Sequence, residues 1–174
     1  MIIWLNGTFG AGKTTTAKEV TSLLPDSRLF DTETVGWMLR HVLGVPEKDF
    51  QDFPPWRGLV VETARQVLDH VGGTLVVTQT VLVEAYWQEI REGLAKAGIL
   101  VHHFLLHTDR DTLVERIETD TKPESAGARQ WRLDHLSDYE RALPWLRREA
   151  QVVDTTGVLP TAVAETVLGG VRTG

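Results

Sequence analysis

The chain has 174 residues, 18 Lys and Arg against 24 Asp and Glu, a formal net charge of −6 and no cysteine. That length suits one domain, 1–174, whose core needs no covalent staple, and zero Cys excludes a disulfide framework, a thiolate zinc site and a Cys nucleophile. The acidic balance argues against general nucleic-acid binding, no apolar run approaches the roughly 18 residues of a membrane span, and the first residues lack the basic start and long apolar stretch of a signal peptide, so a cytoplasmic α/β protein is expected.

Ile2 to Leu5 is a continuous apolar run, as in a fully buried strand. From Lys13 the period changes, with Ala17, Val20, Leu23 and Leu24 on one helical face and Pro25 as the stop. A second strand covers Arg28 to Phe30 and ends at Asp31. A helix carrying Val35, Met38, Leu39 and Val42 follows and closes at Gly44 and Pro46. Val45 to Pro55 reads as an irregular connection. Trp56, Leu59, Val60, Ala64, Val67, Leu68 and Val71 mark a strongly amphipathic helix that Gly72-Gly73 ends. Thr74 to Thr78 is the third strand, Leu82 to Ala97 a helix, and Ile99 to Leu106 the fourth strand. Asp109 caps a helix with Leu113, Val114 and Ile117. Thr119 to Ala128 is a polar loop, a helix resumes near Arg129 and runs to about Leu143, Gln151 to Asp154 is the fifth strand, and Pro160 opens a last helix. Strands alternating with helices predict βαβ units and a parallel sheet covered on both faces.

Gly7-Thr8-Phe9-Gly10-Ala11-Gly12-Lys13-Thr14 fits G-x-x-x-x-G-K-[ST] at every fixed position, between an apolar strand and an amphipathic helix. Glycines let successive backbone N–H groups converge on an anion, and the helix behind adds free donors and the positive end of its dipole. Gly7, Gly10, Ala11, Gly12, Lys13, Thr14 and Thr15 are therefore expected to hold the phosphates of ATP, with Lys13 at the β/γ-phosphates and the Thr14 hydroxyl on Mg²⁺.

The third strand ends in Thr78-Gln79-Thr80, with no acid to organise Mg²⁺; the strand that does end in an acid is the second, at Asp31, with Glu33 two residues on. At the carboxyl end of a parallel strand Asp31 projects into the ligand crevice, where a carboxylate takes a hydroxyl proton or holds metal-bound water. The plain alternative is that Asp31 or Thr32 caps the next helix. Arg116, Arg129 and Arg132 flank the polar loop and suit phosphoryl-transfer charge, against a solvated helix face. Arg57 is either a substrate contact or a structural ion pair. Among six tryptophans, Trp37, Trp56 and Trp87 follow strands on the acceptor side and are either an aromatic floor or core. His102, His103 and His107 have no ligand spacing and read as structural or exposed.

Ile2–Thr14, Asp31–Arg40, Asp49–Arg57, with its Phe-Pro-Pro-Trp-Arg, Ile99–Phe104 and Thr112–Ile117 resemble, in order, the tunicamycin-resistance ATP-binding protein family, within the wider group of nucleoside-monophosphate, gluconate, shikimate and chloramphenicol kinases. The resemblance implies a three-layer α/β P-loop NTPase fold, a five-stranded parallel sheet of order 2-3-1-4-5 with a lid at 119–130, and ATP with Mg²⁺. It also implies an acceptor or metal role for Asp31 and Glu33, adenine contact for Arg116, and adenine packing for Asp154-Thr155-Thr156. The combined expectation is an ATP-dependent small-molecule kinase. Lys13, Asp31 and Arg129 are its catalytic groups, Thr14 and Asp31 its metal ligands, and Asp31, Glu33, Trp37 and Arg57 bind a nucleoside- or sugar-like acceptor such as tunicamycin. Two alternatives stand beside it: a protein that sequesters the antibiotic unmodified, and a switch NTPase with Gln79 as its water-positioning group. No N-K-x-D element supports a GTPase.

Overall fold

The computed structural model describes residues 1–44, 49–121 and 127–173. Five strands form one parallel sheet: β1 (Ile2–Asn6), β2 (Ser27–Asp31), β3 (Thr74–Thr78), β4 (Val101–His107) and β5 (Gln151–Asp154), in the order β2-β3-β1-β4-β5. The order follows from burial. β1 is buried at every position and takes the centre, whereas β2 and β5 expose side chains and lie at the edges.

The connecting helices are α1 (Lys13–Leu23), α2 (Glu33–Leu43), α3 (Pro54–Val71), α4 (Glu84–Lys96), α5 (Arg110–Glu118), α6 (Arg129–Asp134), α7 (Leu136–Glu149) and α8 (Pro160–Thr173), with a short 3-10 turn at Phe50–Asp52. α1 packs on α8, and α3 packs on α4. Local chemistry sets the ends as expected: the Asp109 carboxylate accepts the Thr112 N–H at the start of α5, and Gly44 closes α2 in the left-handed region.

Two departures concern the segment after the polar loop. The single helix expected from Arg129 is two, broken at His135, whose N–H and Nδ1 both turn back to the Trp131 carbonyl, at 3.2 and 2.6 Å. The second of them, α7, runs on past the expected end near Leu143 to Glu149 and contains Pro144. Its missing N–H frees the carbonyl of Glu140, a solvent-exposed residue, while burial of Trp145 and Leu146 holds the next turn in place. Residues 122–126 of the expected lid and 45–48 of the irregular connection lie outside the described residues.

Trp56 and Trp87 are fully enclosed core residues, so of the expected aromatic floor only Trp37 faces solvent. His103 is also structural. Its ring lies 3.8 Å from that of Trp87, its Nδ1 is 3.2 Å from the Glu149 carbonyl, and burial pushes its pKa down to about 4. The pairing of Thr78 with both Leu5 and Asp31, and of His107 with Asp154, sets the carboxyl ends of the strands side by side. The loops after them open into one crevice.

Candidate functional site

The loop after β1 is the floor of a cavity of about 740 Å³ lined by Thr8 to Thr16. Its backbone could not be built from other residues. Gly7 has φ +142°, and a Cβ there would lie 2.6 Å from the Leu106 carbonyl oxygen. Gly12, at φ +91°, is the N-cap of α1, and the first N–H to find a helical carbonyl is that of Thr16, at 2.9 Å from Gly12 O. The amides of Lys13, Thr14 and Thr15 precede it and have no intrahelical partner by geometry; all three residues line the cavity.

The Lys13 ammonium donates to the Gly7 and Thr8 carbonyls, both at 2.9 Å. Burial draws its pKa down to about 8, against the opposing pull of Glu33 and with the help of Arg132. The Thr8 hydroxyl is buried on the same cavity without a hydrogen-bond partner among the described residues. A cradle of amides, one desolvated ammonium and an orphaned hydroxyl fits a polyphosphate.

Asp31 and Glu33 form the opposite wall. One Asp31 carboxylate oxygen accepts the Glu33 N–H at 3.0 Å, so the capping alternative holds in part while the residue still faces the cavity. Burial and the adjacent Asp31 push the Glu33 pKa up, and Lys13 and Arg132 pull it down. Thr14, Asp31 and Glu33 supply hydroxyl and carboxylate oxygens only, a donor set that fits Mg²⁺ shared with phosphate and water. Among the described residues no group of three His, Cys, Asp or Glu forms a metal cage.

Arg116 reaches across from α5 and donates to the Gly10 carbonyl at 3.1 Å and to the Thr155 carbonyl and hydroxyl at 2.8 and 3.2 Å. The Thr155 hydroxyl in turn bonds Ala11 O at 3.3 Å. Arg116 and Thr155 both line the cavity and tie the phosphate loop to the segment after β5.

The other arginines differ in where the structure places them. Arg129 lines neither cavity and donates to the Asp120 carbonyl. Arg132, one turn on, enters both cavities, pairs with the Asp120 carboxylate at 3.2 Å and lies 5.7 Å over the Phe9 ring. The reason is the docking of α6 through Trp131, whose ring sits edge-on to Phe9 at 5.0 Å and fixes which side of the short helix looks inward. Arg57 is likewise not a lining residue. It is 7% exposed, pairs with Glu89 at 2.5 Å, donates to the Gln51 carbonyl and lies over the Tyr86 ring.

A second cavity, of about 930 Å³, adjoins the first and shares Phe9, Glu33, Gln79, Thr80 and Arg132 with it. Trp37, Phe50, Tyr86, Trp131 and Trp145 supply its aromatic surface, and its polar groups include Asp49, Asp52, Glu84, Asp138, Arg40 and Arg141. Of the four residues expected to bind the acceptor, Glu33 and Trp37 line this cavity, Asp31 lines only the first, and Arg57 lines neither. Phe9, Thr80 and Trp131 were missed, and Gln79 was read only as a water-positioning group. The available signal was a third strand ending in Thr-Gln-Thr, whose Thr80 hydroxyl bonds Gly7 O at 2.9 Å.

The pattern that describes an AAA domain family matches residues 2–140. The chain belongs to that AAA domain family. Among solved structures, the tunicamycin resistance protein of Deinococcus radiodurans is similar at 28% identity and TM-score 0.74, over 98% of this chain and 95% of that one. A sugar kinase from Janibacter sp. HTCC2649 (19%, TM-score 0.69, 98% and 94%) and a gluconokinase from Sinorhizobium meliloti 1021 (19%, TM-score 0.66, 98% and 91%) share the fold. A search of curated proteins finds no match. The expected P-loop kinase-like architecture, strand order included, is borne out, and so is the resemblance to tunicamycin-resistance proteins. Among the described residues no helix is long and apolar enough to cross a membrane.

Proposed function

We propose that this chain is an ATP-dependent phosphotransferase acting on a hydroxyl of a nucleoside- or sugar-like molecule, with residues 119–130 as the lid of a single nucleotide-binding domain. One observation carries the reading: the phosphate cavity and the aromatic cavity share a wall. A phosphoryl group on Lys13 then has an acceptor pocket directly beside it, which a protein that only hydrolyses ATP does not need.

In this reading the loop amides and Lys13 hold the ATP phosphates, and Arg116 with Thr155 frames the base. The free oxygen of Asp31 orients the acceptor hydroxyl and takes its proton. Arg132 takes the role expected of Arg129 and faces the charge on the transferring group. Thr14 and Asp31 would hold Mg²⁺, which when bound would supply charge neutralisation on the phosphates. Trp37, Tyr86 and Trp131 offer flat surfaces to a base or sugar ring. Acids outnumber arginines around the second cavity, which favours an uncharged or cationic acceptor over one that already bears a phosphate.

The test incubates the protein with ATP, Mg²⁺ and tunicamycin, followed by a panel of nucleosides and sugars, and weighs each compound by mass spectrometry. A gain of one phosphoryl group, lost in Asp31→Asn while ATP still binds, is the expected result. Tight binding at unchanged mass favours the second reading, sequestration without modification. The observation on its side is that one Asp31 oxygen is already engaged in capping α2.

A further inference from the structure

The residue directly after β3 is an amide, Gln79, and not an acid, and the geometry around that amide is specific. Gln79 is 3% exposed, and its backbone N–H extends the sheet by bonding Leu5 O at 3.2 Å. Its Oε1 lies 2.7 Å from the hydroxyl of Thr32, itself fully buried. That contact sets the orientation of the amide. With Oε1 toward Thr32 the buried hydroxyl proton has an acceptor; with the amide turned over, the proton would have none among the described residues.

The two Nε2–H donors therefore face the other way. They bond no described residue, are not sealed in the core, and belong to a side chain on the wall common to both cavities. The strand register explains the placement: Thr78 is flanked by Leu5 of β1 and Asp31 of β2, so Gln79 stands between the phosphate loop and the acidic turn.

We propose that the Gln79 amide donates to an oxygen of the γ-phosphoryl group as it passes from ATP to the acceptor. The proposal rests on the kinase reading above. In the step, the acceptor oxygen bonds to the γ-phosphorus, the bond to the β–γ bridging oxygen breaks with its electron pair leaving on ADP, and the hydroxyl proton goes to Asp31. Gln79 contributes only hydrogen bonds. A neutral donor suits this position for an electrostatic reason. Asp31 and Glu33 already face the path, and a third carboxylate would repel the anionic group that a pair of N–H donors attracts.

The test measures ATP and ADP dissociation constants with Mg²⁺ by calorimetry, since only ATP carries the γ-phosphoryl. Gln79→Leu is expected to weaken ATP about tenfold, the loss of one hydrogen bond to a charged oxygen, and to leave ADP within about twofold. Gln79→Glu, which keeps an acceptor for Thr32 but presents charge, weakens ATP further. Thr32→Val, which frees the amide without changing it, gives a smaller loss of the same ATP-specific kind. Equal losses of ATP and ADP, or no loss of ATP in Gln79→Leu, overturn the proposal. Failure of the kinase reading looks different: the ATP-specific loss persists, yet no compound in the mass screen gains a phosphoryl group.

Discussion

Replacing Lys13 by Met tests the phosphate site where its energetics are most exposed. In the free protein the ammonium is held by two carbonyls, and burial pulls its pKa from 10.5 to about 8. Keeping that lysine charged at neutral pH costs about 3 kcal/mol, at 1.36 kcal/mol per pH unit. That cost is net of the two carbonyl contacts, so Lys13→Met should leave the nucleotide-free fold at least as stable as before, with a gain of up to about 3 kcal/mol.

Nucleotide binding is different, because the phosphates set a full opposite charge against the desolvated ammonium. Loss of the ammonium should weaken ATP by about 100-fold, the equivalent of about 3 kcal/mol. The pH dependence has a definite sign. ATP binds the protonated lysine, so wild-type affinity holds steady below the free-protein pKa near 8 and falls toward tenfold per pH unit above it. The ligand-free fold shows the reverse trend. Its lowered lysine pKa means the unfolded chain binds more protons between about 8 and 10.5, so this group adds stability as pH rises through that window. Calorimetric titration of ATP over about three pH units centred on that pKa checks the first trend, and urea titration of the nucleotide-free protein over the same range checks the second. A flat wild-type affinity profile, or one that Lys13→Met reproduces, would refute the reasoning.

Two further outcomes are expected. Gly36→Ala drives a Cβ to 2.4 Å from Cγ of Phe50, a wall of the second cavity, and should destabilise the fold by about 1–3 kcal/mol in urea titration; a cost below about 0.5 kcal/mol would mean the helix shifts freely. Arg57→Met removes the buried partner of half-exposed Glu89 and should cost about 2 kcal/mol of stability with ATP affinity unchanged, whereas lost affinity at full stability would restore Arg57 as a binding residue.

Much of the site was legible because it is local. Gly7 to Thr15 encodes its own backbone path: a buried strand, glycines that accept positive φ, and a helix start whose amides point forward. Asp31 was legible for a similar reason, as the acid that ends an edge strand. The choice between Arg129 and Arg132 was not. The two lie one helical turn apart, and the cavity receives the one that the Phe9–Trp131 contact turns inward. Trp37, Trp56 and Trp87 carried the same sequence signal, and only packing separated one exposed ring from two core rings.

What the sequence determined by itself is a phosphate-binding turn within an alternating α/β chain, since each element is specified by residues a few positions apart. Only the tertiary structure decided what faces that turn. Arg57 became a brace behind the wall and Arg116 a clamp across 106 positions of chain, while Gln79 came to rest between phosphate loop and acidic turn through the sheet register and Thr32, 47 residues away. Contacts at such separations depend on which strands pair and how a short helix docks, and no local pattern of side chains carries that information.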